Sequence, residues 1–171
     1  MKYIILIFAL SLAISKISPA QNIEKLNTSK QIDSLKSSYT GNIILVNFWA
    51  SWCKPCVEEF PDLLKIRNDF SDEGLKVIFI SLDFPEEVNT KLIPFLKQNK
   101  VDFTTYLCDS KNPEQIMDYF DKNWDGAIPA TFIFNKKGEL GSKVIGSHNY
   151  DFYKNEVSKY IHSPSMNNGF E

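Results

Sequence analysis

Along the chain, short continuous apolar runs alternate with stretches in which apolar residues recur every three or four positions. "NIILVNFWA" (42–50) and "LKVIFISLD" (75–83) are unbroken, rich in β-branched and aromatic residues, and short, so they read as buried strands. From Cys53 to about Phe70 the apolar positions Val57, Phe60, Leu63, Leu64 and Ile66 are spaced for a helix, with a kink expected at Pro61. "TSKQIDSLKSS" reads as a short helix capped by Thr28 or Ser29 and closed by Gly41. "EEVNTKLIPFLKQN" predicts a helix with Pro94 inside it, and "VDFTTYLC" a short strand. Asn112 followed by Pro113 marks a helix start, and Lys137-Gly138 the turn of a hairpin within "ATFIFNKKGELGSKVIG". "NYDFYKNEVSKYI" predicts a terminal helix, and "QNIEKLN" (21–27) a loose polar lead-in. The order α-β-α-β-α-β-α-β-β-α argues for an α/β fold, its central mixed sheet mainly parallel, with helices on both faces and an antiparallel hairpin at the edge.

The first twenty residues depart from this pattern. Lys2 precedes an apolar stretch from Tyr3 to Ile14, and small and polar residues follow to Ser18-Pro19-Ala20. That is the layout of a secretory signal peptide, and a stretch of about twelve residues is shorter than the ~20 that span a bilayer. The expected organisation is a signal peptide over 1–20, one domain over 21–162 and a flexible tail over 163–171. An uncleaved segment would instead anchor the chain. Without Lys2 and Lys16 the formal charge falls from −2 to −4. No basic run with interleaved aromatics occurs, which argues against nucleic-acid binding. Hydrophobic residues make up 43% of the sequence, enough for a filled core. An exported chain reaches an oxidising space where disulfides persist.

Two of the three cysteines stand in "FWASWCKPCVEEFP" (48–61). A staple across two residues would close too small a loop to constrain the unfolded chain much. A closed zinc site needs about four ligands, and Cys108, His148 and His162 have no paired spacing, so no metal is expected. A redox couple needs an exposed, partly ionised first thiol, a close second thiol and a rigid turn. Cys53 at a helix N-terminus, after a strand's carboxyl end, would be stabilised as thiolate by free N–H groups. Cys56 would resolve the mixed disulfide, Pro55 would hold the turn without losing a hydrogen bond, and Lys54 adds positive charge. Further on, "GAIPATFIF" places Pro129 directly before a strand. From the residues alone a trans, strand-capping proline is favoured, since about 5–6% of such bonds are cis.

"ILVNFWASWCKPCVEEFP" followed by "IPATFIF" resembles the thioredoxin superfamily, and more narrowly the exported TlpA/ResA-like thiol–disulfide oxidoreductases. The resemblance covers about residues 41 to 161. It implies a thioredoxin-like fold, in which Phe84 to Cys108 is an extra helix and strand between the two halves. It also implies a cis Ile128-Pro129 bond against the cysteines. Asn47 falls where cytoplasmic thioredoxins carry a buried aspartate that deprotonates the resolving cysteine. Asparagine cannot accept that proton, so another group is required. Asp83 and Glu86 are the candidates, Glu86 aligning best. Glu58 and Glu59 are expected to stabilise the helix N-terminus. Trp52, Lys54, Pro55 and Ile128 are expected to line the substrate surface, and Trp124-Asp125-Gly126 either to shape it or simply to pack the loop. Trp49 is expected to pack, Cys108 to be a buried small hydrophobe, and both histidines to lie at the surface.

The resulting expectation is an exported, monomeric enzyme that reduces protein disulfides, with the Cys53–Cys56 pair as its only redox group. The family implies re-reduction by a membrane thiol donor, and apocytochrome c as one substrate. The Lys-Pro pair between the cysteines and Ile128 before the proline resemble reducing members. Two competing functions are a thiol peroxidase of the peroxiredoxin branch, and a thioredoxin-fold binding module or metal carrier.

Overall fold

The computed structural model describes residues 21–161. The expected signal peptide over 1–20, the expected tail over 163–171 and His162 lie outside the described residues. Six strands form one sheet in the order β1-β4-β3-β2-β5-β6. They are β1 (Ile23–Leu26), β2 (Ile43–Trp49), β3 (Leu75–Ser81), β4 (Thr105–Cys108), β5 (Ala130–Phe134) and β6 (Leu140–Ile145). The first four in sequence run parallel, while β5 lies antiparallel to β2 and β6 antiparallel to β5. Five α-helices accompany them: α1 (Ser29–Ser37), α2 (Lys54–Asp69), α3 (Ile93–Gln98), α4 (Pro113–Phe120) and α5 (Tyr150–Ile161).

Every residue of β2 is buried, because both faces of the sheet are covered. Ile43, Leu45 and Trp49 point into a core shared with Phe60, Leu63 and Ile66 of α2 and with Tyr153 and Val157 of α5. Ile44, Val46 and Phe48 point the other way, into a core shared with Ile32 of α1 and Ile116 and Phe120 of α4. Strand alternation thus puts Asn47, the single polar residue of β2, on the α2 and α5 face.

Three local readings change. The lead-in is not loose: Ile23–Leu26 forms β1, paired with β4 at the sheet edge. Only Leu26 of its four residues is fully buried, so no apolar run announced it. The helix expected before Pro94 is irregular, with a 3₁₀ turn at Pro85–Glu87 and a π-helical turn at Val88–Leu92 ahead of α3. Proline lacks an N–H and its ring collides with the carbonyl four residues back; the wider turn, closed by Ile93 N–H on Val88 O, accommodates it. Helix α1 ends at Ser37 rather than at Gly41, whose φ of +86° instead serves the turn into β2. Its start is a capping box between Thr28 and Gln31. Asn112 occupies the N-cap position of α4 but makes no side-chain cap bond.

Candidate active site

Cys53 is the N-cap of α2. Its sulfur accepts the Cys56 N–H at 3.3 Å, and Lys54 and Pro55 fill the first two helical positions, where N–H groups have no intrahelical partner. The two sulfurs are joined at 2.05 Å. Cys53 is 7% exposed and Cys56 1%, so the first sulfur is less open than the sequence suggested, though it is the more accessible one. The Ile128 carbonyl oxygen lies 3.9 Å from Cys53 Sγ, and the Ile128-Pro129 bond is cis.

The loop leading into Cys53 is fastened from below by Asp83, itself 2% exposed. Its carboxylate accepts the Ser51 N–H at 3.0 and 3.2 Å, the Ser51 hydroxyl, and the Ser81 hydroxyl at 2.5 Å. Asp83→Ala would strand these donors in the interior. A loss of about 3 kcal/mol of stability is expected, since buried unpaired groups cost about 1–3 kcal/mol each. A lowered urea midpoint at unchanged slope checks it.

Trp52 is 49% exposed and stacks at 6.5 Å on Phe84, 57% exposed, forming an aromatic ledge beside Cys53. The Lys54 ammonium stands in solvent, 3.8 Å from Glu58. Glu86 sits on the exposed 3₁₀ turn after Phe84. Trp49 packs on Phe60 at 4.5 Å, and Trp124 on Phe48 at 4.8 Å with its indole N–H on Ala127 O at 2.9 Å. Cys108 is free and half-buried, and burial pushes its thiol pKa up. A cavity of about 430 Å³ bordered by Arg67, Val77, Phe103 and Tyr106 includes no residue of the cysteine loop. The chemistry therefore faces a surface, not that pocket.

The buried carboxylate on the Cys56 side of the structure is Glu59, 2% exposed. One turn after Cys56, it shares a face of α2 with that cysteine. Its oxygens accept from Asn47 Nδ2 at 3.2 Å, from the His148 N–H at 3.0 Å and from the Tyr153 hydroxyl at 3.1 Å. Burial pushes its pKa up to about 7, further raised by Asp62 and opposed by the three donors. Glu59 therefore does more than stabilise a helix end. Cys56, Glu59, Phe60, Leu63 and Ile66 are the buried residues of α2. A glutamate inside that stripe was the signal that could have singled it out.

The AhpC/TSA family model matches residues 18–143. The chain belongs to the AhpC/TSA family. Thiol-disulfide oxidoreductase ResA of Bacillus subtilis (strain 168) is 28% identical over 141 residues, 82% of this chain and 73% of that protein. Sporulation thiol-disulfide oxidoreductase A of the same organism is 31% identical over 106 residues. The chain spans 61% of that second relative's length, and the match covers 62% of this chain. The crystal structure of StoA from Bacillus subtilis superposes with a TM-score of 0.55 at 28% identity, over 69% of this chain and 84% of that one. A thiol:disulfide interchange protein from Chlorobium tepidum TLS gives 0.62 at 21% identity, over 74% and 84%, which supports the thioredoxin fold. Together with the Cys53–Cys56 pair, these likenesses make the chain a thiol–disulfide oxidoreductase of the ResA and StoA type. Among the described residues no helix is long and apolar enough to cross a membrane, and no three His, Cys, Asp or Glu side chains form a metal-ligand group.

Proposed function

We propose that the protein is an exported reductase of protein disulfides, with Cys53 as nucleophile and Cys56 as resolving thiol. The observation that carries this reading is the place of Cys53 as N-cap of α2, its sulfur already accepting an N–H of the first turn. A thiolate there is stabilised by that bond and by the helix dipole. In the reduced protein, Cys53 S⁻ attacks one sulfur of a substrate disulfide. A mixed disulfide forms and the first substrate sulfur leaves as thiolate, taking a proton from solvent. Glu59 takes the Cys56 proton, directly or through a water. The Cys56 thiolate then attacks Cys53 Sγ and expels the second substrate sulfur. Two electrons have passed to the substrate, and the Cys53–Cys56 disulfide remains.

Glu59 supplies what Asn47 cannot, and the two are hydrogen-bonded to each other. The carboxylate that cytoplasmic thioredoxins hold on the strand stands here on the helix. A base with a pKa near 7 accepts a proton at neutral pH and returns it readily. The Trp52–Phe84 ledge receives apolar side chains beside the substrate cysteine, and Lys54, Pro55 and Ile128 border the same approach. Re-reduction requires a thiol donor, and the sequence pattern of residues 1–20 supports export. Pre-reduced protein mixed with a disulfide-bonded protein should yield one substrate dithiol per Cys53–Cys56 disulfide formed. The same preparation should leave hydrogen peroxide nearly untouched. Rapid peroxide consumption without reduction of the protein disulfide would overturn the reading in favour of a peroxidase.

A further inference from the structure

Glu59 is one corner of a closed ring of buried polar side chains drawn from four elements. Asn47 of β2 donates one amide hydrogen to Glu59 Oε1 at 3.2 Å and the other to Thr131 Oγ1 of β5 at 3.0 Å. Thr131 and Tyr153 of α5 share a hydrogen bond of 3.3 Å, and the Tyr153 hydroxyl donates to Glu59 Oε2 at 3.1 Å. None of the four is more than 2% exposed. Asn47 Oδ1 is buried without a partner, so the asparagine commits both of its hydrogens to the ring while its acceptor stays unused. The ring is thus directed at the carboxylate: Asn47, His148 and Tyr153 all donate to it, and among the described residues the tyrosine is the only side-chain hydroxyl that does so.

The surroundings give Tyr153 particular weight. The groups acting on Glu59 are Asp62 on its own helix, Asn47, Tyr153 and the His148 N–H, with Thr131 bonded behind Asn47 and Tyr153 and Cys56 one turn earlier on the helix. Asp62 disfavours the charge. The His148 ring stacks on Phe152 at 3.9 Å and lies edge-on to the Tyr153 ring at 6.3 Å, while its backbone N–H reaches Glu59. Burial and Glu59 both push the Tyr153 pKa well above the ordinary tyrosine value, so the phenol stays a donor wherever Glu59 titrates.

We propose that Tyr153 is a positioning residue that sets the ionisation of Glu59, and with it the pH at which Cys56 is freed for the resolving step. The terminal helix α5 is then part of the redox centre rather than only a cover for the sheet. This rests on the reading of Glu59 as the proton acceptor for Cys56.

The test is the pH dependence, between 5 and 10, of the rate at which reduced protein resolves a mixed disulfide with a short disulfide-linked peptide. Tyr153→Phe keeps the ring and removes the hydroxyl. Losing a donor to a carboxylate disfavours the charged form, so the rising limb should move up by about one pH unit, with the high-pH plateau retained. Rapid alkylation of Cys53 should keep its wild-type profile. Replacement of Tyr153 by 3-fluorotyrosine, a stronger donor of nearly the same shape, should move the limb down and serves if the phenylalanine variant does not fold. Glu59→Gln should abolish the limb. If Glu59→Gln keeps the wild-type limb, the reading of Glu59 fails. If Glu59→Gln removes it but neither tyrosine replacement shifts it, the role of Tyr153 fails and that of Glu59 stands.

Discussion

Cys56→Ser should turn the protein from a catalyst into a trap. Cys53 keeps its place at the helix N-terminus in this variant, with the N–H of residue 56 still available to its sulfur, because that bond comes from the backbone. Attack on a substrate disulfide proceeds, but no second thiol can break the mixed disulfide. Covalent adducts should accumulate, visible on non-reducing gels and dissolved by dithiothreitol, while turnover becomes undetectable. Cys53→Ser should show neither adducts nor turnover, since Cys56 is 1% exposed and cannot meet a protein substrate. Adducts formed by Cys53→Ser through Cys56 would reverse the two roles. Brief alkylation of reduced wild-type protein gives the same answer without mutation: Cys53 should be labelled first.

Glu59→Gln should lower turnover about 100-fold at pH 7, the lower range for loss of a general base, while making the fold more stable above neutrality. The direction follows from linkage. Glu59 has a folded pKa of about 7 against an ordinary value of 4.5. Between those values the folded state holds a proton that the unfolded state has lost, so stability falls as pH rises from 4.5 to 7. Above 7 the buried carboxylate costs on the order of 3 kcal/mol relative to a neutral group. Glutamine removes that slope, and the unpaired Asn47 Oδ1 gives its amide a partner if Asn47 turns over. Urea unfolding at pH 5 and pH 8 should therefore differ less in the variant than in the wild type. A variant that loses stability equally at both pH values, with activity intact, would make Glu59 an ordinary structural group.

What the sequence disclosed and what it concealed follow from burial and neighbours. The unbroken apolar run of β2 was legible because both of its faces are covered, and the α2 stripe because a helix buries one face. The cysteine pair was legible because its spacing and helical setting left redox chemistry as the reading with the fewest obstacles. Strand β1 was concealed because an edge strand with one buried residue carries no period. The cis bond before Pro129 came from the resemblance alone, since the residues themselves favour trans. Glu59 was misjudged because its distance from the helix start suggested a dipole role, whereas its partners Asn47, His148 and Tyr153 lie 12 to 94 residues away along the chain. Such convergence is a property of the sheet order, not of any local window. Asp83 and Glu86 were weighed together as loop carboxylates. Only the fold separates a buried fastener of the cysteine loop from an exposed residue three positions later.

The protein is expected to act as a reductant, and the reduction potential of the Cys53–Cys56 couple decides the direction. The Lys-Pro pair between the cysteines and Ile128 before Pro129 resemble those of the reducing members of the superfamily. Lys54, which would pull the other way by stabilising the thiolate, stands 87% exposed, where a charge has little effect. Equilibration with glutathione or dithiothreitol buffers, read as the fraction of alkylatable Cys53, should give a potential nearer the roughly −270 mV of thioredoxin than the about −120 mV of DsbA. A value above about −180 mV, the level of protein disulfide isomerase, would contradict the account and mark a couple poised to oxidise or isomerise its substrates.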